Sequence, residues 1–196
     1  MTLRKFNNLL SVVVIILGLY ISLSPFLPQI MYTFKDKSPE ASAPYAGVLA
    51  KTIGSSSTQA APKDNRIVIP SIQIDESIQE GNGIWVIHDG GTWRRPNSAS
   101  PDTEGNTVIV GHRFYGNNIS TFYHLDKVLV GQKLALYWEG KEYLYEVSET
   151  KVVEADAVEI EAPTSDKRLT LYTCTPIWTA KQRLVVIAKP LTKNEE

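Results

Sequence analysis

The chain contains a single cysteine, Cys174, and this scarcity limits the chemistry it can perform. One thiol cannot form a disulfide within the chain, so a disulfide-stabilised framework is excluded. The sequence also has no glycine-rich phosphate loop and no cysteine–histidine cluster with the spacing of a zinc site. Its 20 basic and 21 acidic residues leave a formal net charge of −1, which argues against nucleic acid as a partner.

An apolar run without a charged residue extends from Leu9 to about Ile30. About 20 helical residues, at ~1.5 Å each, cross the hydrocarbon core of a bilayer. Arg4 and Lys5 precede the run, as expected for a helix whose N-terminus stays on the cytoplasmic side. A cleaved signal peptide is the alternative, but no small-residue cleavage site follows directly. We therefore expect residues 1–34 to be a cytoplasmic N-terminus and membrane anchor, with the lipid bilayer as a partner and the rest of this single-pass protein extracellular.

The rest of the chain divides by composition into a linker, one domain and a short tail. Residues 35–65 are rich in serine, proline, alanine and glycine, which is typical of a flexible tether. Residues 66–191 carry the apolar and alternating runs of a folded domain, and residues 192–196 are polar. We therefore predict one extracellular domain on a tether.

The predicted domain contains short β-type runs and no stretch with a long helical period. Two of these runs flank Glu139–Lys141 and predict a hairpin, and Pro70 predicts an edge or a bend within the first run. The pattern alone gives about six strands, which favours a closed antiparallel β-barrel. The predicted strands are, in chain order, 66–74 with its interruption at Pro70, 107–110, 133–138, 142–147, 168–173 and 182–188.

Three short motifs at predicted strand ends carry the candidate chemistry. Cys174 closes the run Thr170–Cys174, Gly111–Arg113 closes an earlier strand, and Arg183 opens the last one. An unpaired thiol on an exported domain is liable to oxidation, so it needs a chemical reason to be there. A nucleophile that works with a histidine and a cation provides such a reason. A buried structural thiol is the alternative interpretation.

Taken together, the motifs resemble those of the bacterial sortases. The resemblance covers residues 66–191, extends to Trp93–Pro96 and Gly105–Arg113, and includes the apolar N-terminal run. It implies a closed, antiparallel barrel of about eight strands with short helices. It also implies a thiol-dependent peptidase and transpeptidase. Such an enzyme cuts a Leu-Pro-x-Thr-Gly-like sorting signal at the C-terminus of a secreted protein through a thioester acyl-enzyme. It then transfers the protein to a cell-wall or pilin amine and so anchors it at the cell surface.

The resemblance further implies roles for individual residues. Cys174 would be the nucleophile, His112 would give a proton to the departing amine, and Arg183 would hold the substrate backbone or the oxyanion. Thr173 and Trp178 are the candidate substrate-binding residues. The alternatives, which do not match the family's positions, are His88 and His124 for the acid and Arg94, Arg95 and Arg113 for the cation.

No cofactor is expected, although the loop between two predicted strands is acidic. Glu154 and Asp156 are weak calcium candidates, because some sortases bind calcium near the equivalent loop, but spaced carboxylates more often form a solvated face. The absence of an Asp-Pro-aromatic lid motif favours the housekeeping-like classes D or E. The alternative function is a non-catalytic, membrane-anchored surface or pilus-assembly protein. Because the last residues do not resemble a sorting signal, we expect the processing enzyme rather than its cargo.

Overall fold

The N-terminal part of the described chain is one helix. The computed structural model describes residues 3–24, 62–115 and 118–191. Helix α1 (Leu3–Leu23) covers the first part of the predicted anchor. Residues 25–30 of the predicted run, most of the predicted linker and the tail 192–196 lie outside the described residues. Among those that are described, no helix combines the length and the hydropathy needed to cross a membrane, so the predicted transmembrane helix is not supported.

The described residues from 62 to 191 form a barrel of eight strands and a separate two-stranded sheet. The barrel closes in the order β1-β2-β3-β4-β9-β10-β8-β7, and β5 pairs with β6 alone. The strands are β1 (Arg66–Ile69), β2 (Ile74–Gln79), β3 (Thr92–Arg94), β4 (Asn106–Val110), β5 (Phe114–Tyr115), β6 (Asn118–Ile119), β7 (Lys133–Trp138), β8 (Lys141–Glu154), β9 (Arg168–Thr175) and β10 (Gln182–Pro190).

The barrel is mixed, so the prediction of an antiparallel barrel is wrong in this respect. Strands β2 and β3 are parallel, and so are β4 and β9. Parallel neighbours need a connection that returns the chain to the same end of the sheet. Residues 80–91 form this connection between β2 and β3, and strands β5 to β8 lie between β4 and β9 in the chain. Alternating hydrophobicity identifies a strand but not the direction of its neighbour, which explains the error.

Two local predictions are confirmed. The predicted hairpin is β7–β8, and its turn residues Glu139 and Gly140 both have positive φ, 51° and 73°, as a tight two-residue hairpin turn requires. The predicted break at Pro70 is a 3₁₀ turn over Pro70–Ile72 that separates β1 from β2. The short helices expected in the domain are 3₁₀ turns of three or four residues in its described part.

The main core fills the barrel with inward-facing side chains. Side chains alternate between the two faces of a strand, and on β9 the inward ones are Leu169, Leu171 and Thr173. Tyr172 and Cys174 therefore lie on the outer face. A second apolar cluster, Ile87, Trp93 and Val110 with Tyr172, covers part of that outer face. The outer face beside this cluster carries the candidate site.

Candidate active site

Cys174 lies near the end of β9, between two strands that carry its predicted partners. On one side β10 runs antiparallel and pairs Arg183 with Cys174. On the other side β4 runs parallel and pairs Val110 with Tyr172. His112 and Cys174 each lie two residues beyond that pair, so they are level and, by alternation, on the same outer face. The topology thus brings together three residues that are far apart in the sequence.

These three residues line one groove of about 400 Å³. A volume of this size is within the range of ligand-binding clefts in proteins. One wall is formed by residues of the loop between β2 and β3. The remaining lining residues are Asn82, Gly83, Ile84, Trp93, Arg95, Val110, Gly111, Tyr172 and Thr173.

His112 is half-buried and lies against an aromatic ring. Its imidazole is 4.8 Å from the ring of Tyr115, which in turn contacts His88 edge-on at 4.9 Å. Burial, and to a smaller extent the charge of His88, lowers the pKa of His112. The neutral imidazole is therefore favoured, and this form can accept a proton from a thiol. The side chain of His88 is 62% exposed, as expected for a surface histidine, yet it lies only one ring away from the site.

Arg183 projects its guanidinium near the loop between β9 and β10. Its Nη1 donates to the carbonyl oxygens of Ala180 and Gln182, both at 3.0 Å. Within the described part of the chain, its Nε and Nη2 make no hydrogen bond. These donors are free to bind a substrate carbonyl or an oxyanion.

Two of the alternative arginines have structural contacts outside the groove. Arg113 is buried, pairs with Asp126 at 3.0 Å and donates to the Thr175 hydroxyl at 2.7 Å. Arg94 pairs with Glu80 and lies over the ring of Trp138. Neither is among the residues that line the groove. The alternative acid His124 is also absent from the lining, and its ring contacts Tyr123 at 4.8 Å.

A hydrogen bond joins the ends of β4 and β9 directly beneath the site. The hydroxyl of Thr173 donates to the carbonyl oxygen of Gly111 at 2.8 Å, and Thr173 is only 1% exposed. A side chain at Gly111 has no room, because a Cβ there would lie 2.7 Å from the buried ring of Phe122. The Thr173 hydroxyl therefore has a backbone partner, although the residue also lines the groove. Its substrate contact stays a prediction.

The structure does not bring Trp178 into the groove. This residue is 75% exposed and packs edge-on against Phe114 at 4.7 Å. It lies in the loop between β9 and β10, but it is not among the lining residues. Its substrate-binding role stays a prediction.

The two calcium candidates, Glu154 and Asp156, lie at the end of β8 and in the turn that follows it. Glu154 accepts a hydrogen bond from Gln182 at 2.9 Å. In residues 62–115 and 118–191, no three histidine, cysteine or acidic side chains are grouped so that they could hold a metal ion. Calcium binding at this loop stays a prediction.

The sequence did not identify a hydrogen-bond network that involves two residues lining the groove, Arg95 and Tyr172. Glu161 accepts hydrogen bonds from Arg95 Nε at 2.9 Å and from the hydroxyl of Tyr172. Burial and the neighbouring carboxylate raise the pKa of Tyr172, so its phenol stays protonated. The sequence could have indicated Tyr172 as a groove residue, because it is two residues before Cys174 in the same strand and must share its face.

The barrel and the Cys–His–Arg groove together define a class of enzyme. The Sortase domain family model matches residues 67–191, so the chain belongs to the sortase family of cysteine transpeptidases. The chain is 24% identical to Sortase A of Listeria monocytogenes serovar 1/2a over 208 residues, covering 95% of this chain and 92% of that protein.

Solved sortase structures of several classes share the fold. A lid mutant of Sortase A from Corynebacterium diphtheriae is 26% identical with a TM-score of 0.61, covering 81% of this chain and 85% of that one. The Sortase D5 transpeptidase of Clostridium perfringens is 26% identical with a TM-score of 0.58, covering 72% and 86%. Sortase C1 from Streptococcus agalactiae is 25% identical with a TM-score of 0.59, covering 67% and 69%. Because these neighbours belong to classes A, D and C, the class D or E prediction stays a prediction.

Proposed function

We propose that the chain cleaves a Leu-Pro-x-Thr-Gly-like sorting signal on a secreted protein and joins that protein to a cell-wall or pilin amine. The observation that carries the proposal is the position of Cys174 between His112 and Arg183, at or just beyond the ends of three adjacent strands. A nucleophile, a proton-transfer group and a fixed cation are the groups that acyl transfer requires. A non-catalytic surface protein would have no need of all three in one groove.

In the first half-reaction, His112 accepts the proton of the Cys174 thiol. The thiolate then attacks the carbonyl carbon of the scissile peptide bond, forming a C–S bond and an oxyanion. Arg183 donates its free N–H groups to this oxyanion or to a neighbouring backbone carbonyl. The C–N bond breaks when the His112 imidazolium gives its proton to the leaving amine, and a thioester remains on the enzyme.

In the second half-reaction, an acceptor amine attacks the thioester carbonyl. Neutral His112 takes the proton that the amine loses, and the C–S bond breaks to release the Cys174 thiolate. The thiolate regains the proton from His112, which restores the starting state. The product is a new amide bond between the secreted protein and the acceptor.

The experiment that tests this proposal uses a library of signal peptides and a small primary amine. We expect the purified full-length chain to cleave peptides of the proposed class and to form the amide product, with both products identified by mass spectrometry. Cys174→Ala should abolish both reactions while leaving the thermal melting temperature unchanged. Turnover by Cys174→Ala close to that of the wild type would contradict the proposal.

We also infer that the catalytic domain acts outside the cell, anchored by the apolar run Leu9–Ile30. Its support is the length of the run and the basic residues Arg4 and Lys5 before it. Deletion of residues 1–59 should leave the turnover of free peptides within about twofold, because every described strand of the barrel starts after residue 62. The same deletion should release the enzyme from the membrane fraction of cells. A folded but inactive truncated chain would show that the deleted residues complete the site.

A further inference from the structure

A second arginine lies in the groove with part of its guanidinium unused. Arg95 lines the groove together with Cys174 and Arg183. Its guanidinium carbon is 4.6 Å from the centroid of the Trp93 ring, and its Nε donates to Glu161 at 2.9 Å. The side chain is still 33% exposed, and neither terminal nitrogen makes a hydrogen bond within the described part of the chain. One edge of the guanidinium is therefore available to a ligand.

Glu161 holds Arg95 in position, and Glu161 is itself held by further contacts. One carboxylate oxygen accepts from Arg95 and the other from the hydroxyl of Tyr172, so Glu161 is itself held in place while it orients Arg95. The turn that carries Glu161, Val158–Glu161, is fastened to the barrel by Asn106. The amide of Asn106 donates to the carbonyl oxygens of Ile160 and Ala162 at 3.0 and 3.1 Å. The guanidinium is thus oriented before any ligand binds, which reduces the entropy lost on binding.

The groove has an excess of positive charge. Of the described residues that line it, Arg95 and Arg183 carry a permanent charge, and no lining residue is a carboxylate. Glu161 beside the groove pairs with Arg95 through Nε and offsets part of that arginine's charge, so the groove as a whole keeps a net positive charge of about one. A charge in a partly desolvated cleft selects for a partner of opposite sign.

We propose that Arg95 binds a carboxylate of the peptide substrate, so that the enzyme prefers signals with Glu or Asp close to the scissile bond. The planar guanidinium matches a carboxylate by donating two parallel hydrogen bonds. Tyr172, which shares Glu161 with Arg95, is two residues from Cys174, or about 7 Å along the strand. The acidic residue therefore lies within about three positions of the scissile bond. This inference rests on the proposed function, because it needs a peptide in the groove.

The test compares peptides that differ only by Glu or Gln at one position near the scissile bond, with each position varied in turn. For the full-length chain, kcat/KM should be about fivefold higher for the Glu peptide at one position, the size expected for a partly exposed ion pair. This preference should disappear in Arg95→Ala and reverse in Arg95→Glu. The matched control is Arg94→Ala, which removes the neighbouring arginine outside the groove and should keep the preference.

A purely structural role for Arg95 predicts a different result, because its loss would slow the Glu and Gln peptides equally. A wild-type enzyme that turns over both peptides at the same rate at every position would overturn the inference but leave the proposed function intact. If the wild type cleaves no peptide of the set, the proposed function itself fails. The dependence of kcat/KM on ionic strength gives a further test that needs no variant. For the preferred Glu peptide, kcat/KM should fall with ionic strength more steeply than for its Gln counterpart. Equal salt dependence would contradict the inference.

Discussion

The two faces of strand β9 differ sharply in what their side chains do. On the inner face, Leu169, Leu171 and Thr173 are at most 1% exposed and either pack in the barrel core or bind neighbouring backbone. On the outer face, Tyr172 and Cys174 are partly exposed and line the groove. One strand therefore carries core residues on its inner face and the candidate nucleophile on its outer face, because successive side chains alternate between the two faces. The inner face fixes the position of the outer one, because the backbone is common to both.

Two arginines at neighbouring strand ends show the same difference. Arg113 is buried, and its Nε, Nη1 and Nη2 all contact protein groups, namely the Tyr123 carbonyl, Thr175 and Asp126. Arg183 lies in the groove and uses only Nη1. An arginine with all its nitrogens engaged stabilises the fold, whereas one with free donors can bind a substrate. Substitutions on the two faces should therefore affect different measurements.

The largest effect expected from a histidine is at His112. Because His112 is the proposed proton-transfer group, kcat/KM for peptide should fall by about 10³-fold in His112→Ala, with little change in melting temperature. Steady-state kinetics and a thermal melt measure both quantities. The matched control is His124→Ala, outside the groove, which should stay within a fewfold of the wild type. An inactive His124→Ala enzyme beside an active His112→Ala enzyme would show that the acid is assigned wrongly.

The pair of arginines gives the next largest effect. Arg183→Lys keeps the charge but loses the planar arrangement of donors, so kcat/KM should fall by about 10²-fold while the free energy of unfolding is unchanged. Arg113→Lys should instead affect stability more than kcat/KM. It loses buried hydrogen bonds, which should lower the free energy of unfolding by about 1–3 kcal/mol. Kinetics and urea denaturation of both variants provide the comparison. If Arg183→Lys were as active as the wild type, a point charge would suffice or Arg183 would be structural.

Thr173 tests how strongly the inner face controls the outer one. Thr173→Val keeps the shape but leaves the Gly111 carbonyl oxygen without its donor, which should cost about 1–2 kcal/mol of unfolding free energy. Because Gly111 precedes His112, we also expect kcat/KM to fall by about tenfold through misplacement of the imidazole. Thr173→Ser retains the hydroxyl and should behave nearly like the wild type. A variant whose KM rises while its stability and kcat are unchanged would instead support direct substrate binding by Thr173.

The smallest expected effect is on the titration of His112. Burial and the charge of His88 both disfavour the imidazolium and lower the pKa of His112. His88→Gln removes the second cause, so the midpoint of the His112 titration should move to higher pH while staying below its ordinary value. NMR of the imidazole C–H signals measures the midpoint, with His124→Gln as the control. A midpoint that stays in place or moves to lower pH would contradict the assigned cause.

The sequence predicted the strands next to the candidate site residues better than the pairing between those strands. Cys174, His112 and Arg183 each end or begin a strand with a strong apolar pattern, so their elements could be placed from the pattern. The parallel pairing of β4 with β9 could not, because it depends on a connection through four intervening strands. That pairing makes His112 level with Cys174.

Contacts between residues that are far apart in the sequence also could not be predicted from the hydrophobic pattern. Glu161 looked like one member of an acidic loop, and nothing local to it indicates its contacts with Arg95 and Tyr172. The resemblance to the sortases predicted that Thr173 lies near the substrate, and the residue does line the groove. Nothing in the sequence indicates that its hydroxyl donates to the Gly111 carbonyl oxygen.

The proposed mechanism depends on a covalent bond between the substrate and Cys174 on the outer face of β9. The intact mass of the enzyme, measured after incubation with a signal peptide and no acceptor amine, tests for this bond directly. We expect an added mass equal to the N-terminal acyl group of the peptide, located on Cys174 and removed when a primary amine or hydroxylamine is added. Peptide cleavage without such an adduct, or cleavage that persists in Cys174→Ala, would contradict the proposed mechanism.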